Sequence, residues 1–155
     1  VNIYVTTGIG TGPTELAAFD TALLDAGVAN YNLIPLSSVI PTGSVLKRKK
    51  YVTPDNEYGY RLYVVLSQQE VSKPGEEAWA AVGWTQDDSG KGLFVEHHGF
   101  CQDEVKAAVY DSLKTMMANR NDYKNCPIYY EMAGIRCVDK PVSAVAIAAY
   151  QSQKW

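Results

Sequence analysis

Only two stretches of this chain carry a helical period. Pro13–Ala26 sets Leu16, Phe19, Leu23 and Ala26 on one side, and Gln102–Asn119 does the same with Val105, Ala108, Val109, Leu113 and Met116. Pro13 suits a first helical position, and Gly27 suits the residue after a last turn. The remaining apolar runs read as strands: Val1–Thr6, Asn32–Ile40, Tyr58–Ser67, Ala78–Thr85, Gly92–His98, Ile128–Met132 and Ser143–Tyr150. A doubly wound parallel sheet needs more crossover helices than two. Two helices packed on sheets, an α+β sandwich, is the architecture this order favours. The 155 residues suit a single domain, and the Pro–Gly punctuation at Pro54, Pro74-Gly75 and Gly90 falls between elements rather than at a domain boundary.

Charge narrows the class of partner. Fourteen Lys and Arg against 17 Asp and Glu give a net charge of −3, which argues against nucleic acid or an anionic membrane as the main partner. The one basic run, Lys47–Lys50, is short, bordered by turn residues, and reads as a solvated loop or edge. No apolar stretch approaches the roughly 20 residues of a membrane helix, and no signal peptide is visible. Cys101, Cys126 and Cys137 lack C-x-x-C spacing, as expected of reduced thiols in the cytoplasm.

Four features invite a chemical reading. Gly8-Ile-Gly10-Thr-Gly12 lies between a strand and a helix, but its spacing is not G-x-G-x-x-G, and no acidic residue follows where a ribose partner belongs. It is expected to be a loop of tight turns. His97 and His98 are adjacent, so on a strand they point to opposite faces and cannot share a metal. Asp20 falls inside the apolar arc of the first helix: either it is solvated at the arc's margin, or it waits in a pocket for a cationic ligand. Glu96 alternates with Phe94 among apolar neighbours, a setting that raises a carboxyl pKa and suits proton transfer. An edge glutamate without a role has the same pattern.

The run Tyr31–Pro41, "YNLIPLSSVIP", sets two serines inside an apolar, proline-bracketed segment. One chemistry gives them a purpose. The Ser38 hydroxyl attacks the Ser37 carbonyl, turning the amide into an ester. Elimination across Cα–Cβ of residue 38 then breaks the Cβ–O bond, frees a Ser37 carboxylate and leaves dehydroalanine. Water replaces its nitrogen as ammonia, and residue 38 becomes a pyruvoyl group. Asn32 is placed to assist as a donor to the Ser37 carbonyl.

The segment Ala18–Pro41, "AFDTALLDAGVANYNLIPLSSVIP", resembles the pyruvoyl-dependent arginine decarboxylases, with a Phe-Asp helix, Asn-Leu-Ile and the Ser-Ser cleavage site in order. The resemblance continues through Glu57–Tyr60, Gly92–Cys101, the helix after Cys101 and the alanine-rich Ala144–Tyr150. It implies a four-layer αββα sandwich related to pyruvoyl-dependent histidine decarboxylase. It implies a single domain, 1–155, cleaved into a β chain 1–37 and an α chain 38–155, assembled as homotrimers with active sites between subunits. The cofactor it implies is a pyruvoyl group derived from Ser38, with no metal and no pyridoxal phosphate. The substrate it implies is L-arginine, decarboxylated to agmatine. On the same basis Glu96 matches the general acid, Asp20 the carboxylate that grips the guanidinium, Leu23 an apolar wall beside it, and Asn32 a residue near the cleaved bond. Pro35, Leu36 and the His97-His98 pair depart from the family pattern, which bears on substrate preference and pH optimum. Two rival readings remain: a pyruvoyl decarboxylase of another basic or imidazole-bearing amino acid, and an uncleaved homologue that binds a small ligand.

Overall fold

The computed structural model describes residues 1–155. Its elements in chain order are β1 (Asn2–Thr11), α1 (Glu15–Ala26), β2 (Asn32–Pro35), β3 (Val39–Ile40), β4 (Val45–Arg48), β5 (Arg61–Val71), β6 (Glu77–Gln86), β7 (Gly92–Gly99), α2 (Gln102–Ala118), β8 (Tyr129–Arg136) and β9 (Val142–Gln153). One sheet has the order β2-β5-β9-β1-β4 and the other β3-β7-β6-β8.

Strand alternation sorts the apolar residues into three cores. Along β9, Ala144, Ala146 and Ala148 face the second sheet, while Val145, Ile147 and Ala149 face α1. The core between the sheets adds Ile3, Val5, Val65, Val82 and Phe94. A third core joins Leu93 and Val95 of β7 to Val105, Val109 and Leu113 of α2. The layers are therefore α1, first sheet, second sheet, α2: the four-layer αββα sandwich. A run such as "SAVAIAAY" is apolar on both faces because both faces of its strand are covered.

The glycine run after the first strand is not a loop of tight turns. β1 continues to Thr11, and its glycines form a flat surface for α1. A Cβ on Gly8 would stand 2.1 Å from the Ala22 carbonyl oxygen, and one on Gly10 would stand 2.5 Å from the Ala22 nitrogen. Backbone meets backbone here, so neither side can yield by rotating a side chain. The same close approach re-aims the helix. Ala18, Ala22, Leu23 and Ala26 are buried, whereas Leu16, expected in the core, is 77% exposed. Small residues, not large ones, mark the packed face. Thr14 caps the helix by accepting from the Ala17 N–H at 3.0 Å, and Gly27 ends it at φ +91° with Tyr51 against it. Gly8→Ala is expected to lower stability by about 1–3 kcal/mol through overpacking, read as a lower urea midpoint. An unchanged midpoint would mean that α1 does not rest on the strand in this way.

The basic run is an edge, and it is tied down. β4 lies parallel to β1 at the edge of its sheet. Lys47 and Lys49 both stand over the Tyr4 ring, at 5.8 and 5.3 Å. Arg48 reaches across to the other sheet, over Trp84 at 4.8 Å and Tyr129 at 5.3 Å, and pairs with Glu131 at 3.5 Å. These contacts occupy the cations and clasp the two sheets at one margin. No helix is long and apolar enough to cross a membrane.

Candidate active site

The segment expected to be one strand, Asn32–Ile40, is two strands in different sheets. β2 pairs in parallel with β5, Pro35 opposite Val64, and the Leu36 N–H still bonds the Val64 carbonyl at 2.7 Å. Three residues later β3 pairs antiparallel with β7, Val39 opposite Leu93. The Ser37–Ser38 peptide is thus the step from one sheet to the other. Neither hydroxyl is sealed in an apolar core there, since Ser37 is exposed and Ser38 only half-buried.

Each side of the step has its own anchors. The Ser38 carbonyl accepts from the Phe94 N–H at 2.8 Å, and the Val39 carbonyl accepts from the Tyr150 hydroxyl at 2.9 Å. Upstream, Asn32 donates its side-chain amide to the Gly59 carbonyl at 2.8 Å rather than reaching toward Ser37. It therefore fixes where β2 begins. Glu57 supports the same entry: its carboxylate accepts from the Tyr31 hydroxyl and, at 3.1 Å, from Ser152. The "EYGY" stretch is accordingly a turn before β5, with Gly59 at φ +82°, not the strand start expected at Tyr58.

Glu96 lies two residues beyond Phe94 on β7. Phe94 belongs to the core between the sheets, so Glu96 faces the same way, at the outer end where that core opens. The residue is open to solvent. Even so, desolvation by the surrounding bulk pushes its carboxyl above the usual range, against the opposing pull of its own backbone N–H. Tyr150 is close enough that the Glu96 charge helps to raise the pKa of its hydroxyl, after the larger effect of burial. The Tyr150 and Phe94 rings lie 5.9 Å apart. A cleft of about 290 Å³ opens beside this group, lined by Leu36, Pro41, Tyr63 and Tyr150 among others.

The histidines part as strand geometry requires. His97 meets Ser112 of α2 at 2.7 Å, and His98 meets Gln69 of β5 at 2.8 Å. Burial lowers the pKa of His97, with His98 adding to the effect. No group of three or more His, Cys, Asp or Glu side chains stands close enough to hold a metal.

Asp20 is not brought to this place. It stands exposed on α1 without an ion pair, flanked one turn either way by exposed Leu16 and Leu24. Leu23, expected as a wall beside it, is 8% exposed and packs into the core beneath the helix. α1 also covers the face of the first sheet turned away from the second. Moreover, this part of α1 lies over Gly10, opposite Ser143, whereas the crossover leaves the sheet opposite Val64 and hence Ala149. Those rows are separated by about 20 Å along β9.

The family model for pyruvoyl-dependent arginine decarboxylases matches residues 2–154. The chain belongs to that family. Among its relatives, the pyruvoyl-dependent arginine decarboxylase of Methanococcoides burtonii is 32% identical over 74% of this chain and 66% of its own length. The Halobacterium salinarum enzyme is 40% identical over 61% of this chain and 58% of its own length. With Thermococcus kodakarensis the match is 31% identical over 93% of this chain and 90% of the relative. The chain thus spans less than two thirds of the first two relatives and nearly all of the third. A solved structure of pyruvoyl-dependent histidine decarboxylase at pH 8 aligns with a TM-score of 0.43 and 12% identity, over 64% of this chain and 57% of that one. That likeness is too slight to bear on the site. Within the family, the features that the sequence left unread are Tyr150 and the Tyr31–Glu57 support. Tyr150 was visible as the position that ends the Ala144, Ala146, Ala148 alternation with a hydroxyl.

Proposed function

We propose that the chain is a self-processing decarboxylase of L-arginine, yielding agmatine and carbon dioxide, with a pyruvoyl group made from Ser38. The observation that carries this reading is the place of the serine pair. The Ser37–Ser38 peptide crosses between sheets, and a break there removes a strand from neither. β2 stays paired to β5 as the end of a β chain 1–37, and β3 stays paired to β7 at the start of an α chain 38–155. The residues around position 38 suit a pyruvoyl group: its carbonyl oxygen has a backbone donor, a cleft lined by Leu36 and Tyr150 opens nearby, and a carboxyl with a raised pKa stands on the adjoining strand.

A ketone at residue 38 supplies the electron withdrawal that lets carbon dioxide depart. The chain does the rest. Glu96, its pKa raised by desolvation, keeps its proton to higher pH than an ordinary glutamate and delivers it to the carbon that held the carboxylate. Leu36 and Tyr63 line the cleft near residue 38 and offer apolar surface to a bound substrate. Asp20 holds the guanidinium through two parallel N–H···O bonds, a geometry that favours arginine over lysine. Because Asp20 and Glu96 are far apart within one chain, the working site takes Asp20 from a neighbouring copy. The exposed Leu16 and Leu24 beside Asp20 are what such a copy would cover, in agreement with a homotrimer.

Carbon dioxide release from arginine, lysine and histidine, measured side by side, tests the assignment. Arginine is expected to be preferred, and Asp20→Ala to raise KM for arginine about 10- to 100-fold while leaving self-cleavage intact, as loss of a charge-assisted contact predicts. An Asp20→Ala enzyme with the parent's KM would overturn the role of Asp20, and a preference for histidine would overturn the substrate.

A further inference from the structure

Cleavage at residue 38 creates a difficulty that the fold must answer. The new N-terminus would lie one residue before a strand, β3, that is only two residues long. Such a short strand at the edge of its sheet frays easily. A reacting group there must nevertheless stay aligned with Glu96, since small displacements of reacting atoms are costly in rate.

Two contacts oppose the fraying. One is the backbone bond from Phe94 to the Ser38 carbonyl at 2.8 Å. The other is the bond from the Tyr150 hydroxyl to the Val39 carbonyl at 2.9 Å, made by a side chain of the opposite sheet. β9 runs through the middle of the first sheet, between β5 and β1, so Tyr150 is held by a rigid element. Its ring packs on Phe94, which fixes the direction of the hydroxyl. Burial also keeps the hydroxyl protonated far above neutral pH, so that it remains a donor. With its proton committed to Val39, it has none to give to a Glu96 carboxylate.

We infer that Tyr150 is a positioning residue: through its hydrogen bond to the Val39 carbonyl it clamps the start of β3 across the two sheets and so aligns residue 38 with Glu96. The inference rests on the reading of the chain as a self-processing decarboxylase, and deepens it. Tyr150 itself need not touch the reacting atoms. Removing its hydroxyl should slow turnover and leave substrate capture, which depends on Asp20, largely unaltered.

The test is Tyr150→Phe, which keeps the ring on Phe94 and deletes only the hydroxyl. Amide hydrogen exchange is followed at Phe94, whose N–H bonds the Ser38 carbonyl, with the amides of β6 as an internal control for folding. Exchange at Phe94 is expected to quicken about 5- to 10-fold, with β6 unchanged. In steady-state assays with arginine, kcat should fall at least about tenfold while KM stays within about twofold. Parent-like exchange at Phe94, or a raised KM with kcat intact, would overturn the inference. Failure of the decarboxylase reading is seen separately, as a parent chain that neither cleaves nor consumes arginine. The exchange comparison still decides the clamp in that case.

Discussion

Ser38→Ala is expected to leave the chain in one piece and to release carbon dioxide from arginine at the uncatalysed rate, a loss on the order of 10⁶-fold or more. The chemistry allows little residual activity. Without an oxygen at Cβ of residue 38 no ester can form, no elimination follows, and no ketone arises. The substitution should not disturb the fold, because the bond from Phe94 reaches the residue-38 carbonyl, not its side chain. Ser38 is half-buried in a connection between sheets, where alanine leaves no large cavity. Ser37→Ala is the informative partner. Its carbonyl is the group attacked, but its hydroxyl is not the nucleophile, so cleavage should persist. A gel of the two variants, one intact and one split, would assign the attacking oxygen. Equal cleavage in both would refute the assignment.

Glu96→Gln should process normally and lose about 10²- to 10⁴-fold in kcat. Glutamine preserves the size and polarity of the side chain but holds no proton to transfer. The pH dependence carries the sign of the argument. Glu96 has its pKa raised by desolvation, so its acid form persists to higher pH than that of an ordinary glutamate. Parent kcat is then full below that raised pKa and falls as pH climbs through it. In Glu96→Gln the falling limb should vanish and the residual rate run flat across the same range. A residual profile that keeps the parent's falling limb would place the titrating group elsewhere.

What could be read from the sequence, and what could not, follows from which signals are local. α2 was legible almost to the residue, because its apolar period repeats over four turns and its covering sheet asks only for a hydrophobic stripe. Glu96 was legible for a similar reason, as alternation with Phe94 fixes its face wherever the strand lies. The Gly8–Gly12 stretch misled because glycine is a turn signal on its own and a packing surface only when a helix of alanines lies against it. The same omission put Leu16 in the core: large residues weigh most in a periodicity, whereas here the tightest contact is between the smallest. The split of Asn32–Ile40 into two sheets has no local signature, since β2 and β3 are separated by three residues and both are apolar. Only the pairing of Pro35 with Val64 and of Val39 with Leu93 reveals the crossing. Asp20 is a third kind of case. It is exposed on α1, far from the crossover, and no contact within the chain marks it out, so the fold of one chain adds nothing to what the sequence says of it.

The intact mass of the purified protein after denaturation tests the central claim most directly. Self-processing predicts two species, residues 1–37 ending in a carboxylate and residues 38–155 beginning with a keto-acyl cap. Their masses should sum to that of the uncut chain plus water less ammonia, and the larger should resist N-terminal sequencing. A single species retaining serine at position 38, in protein that releases carbon dioxide from arginine, would contradict the account.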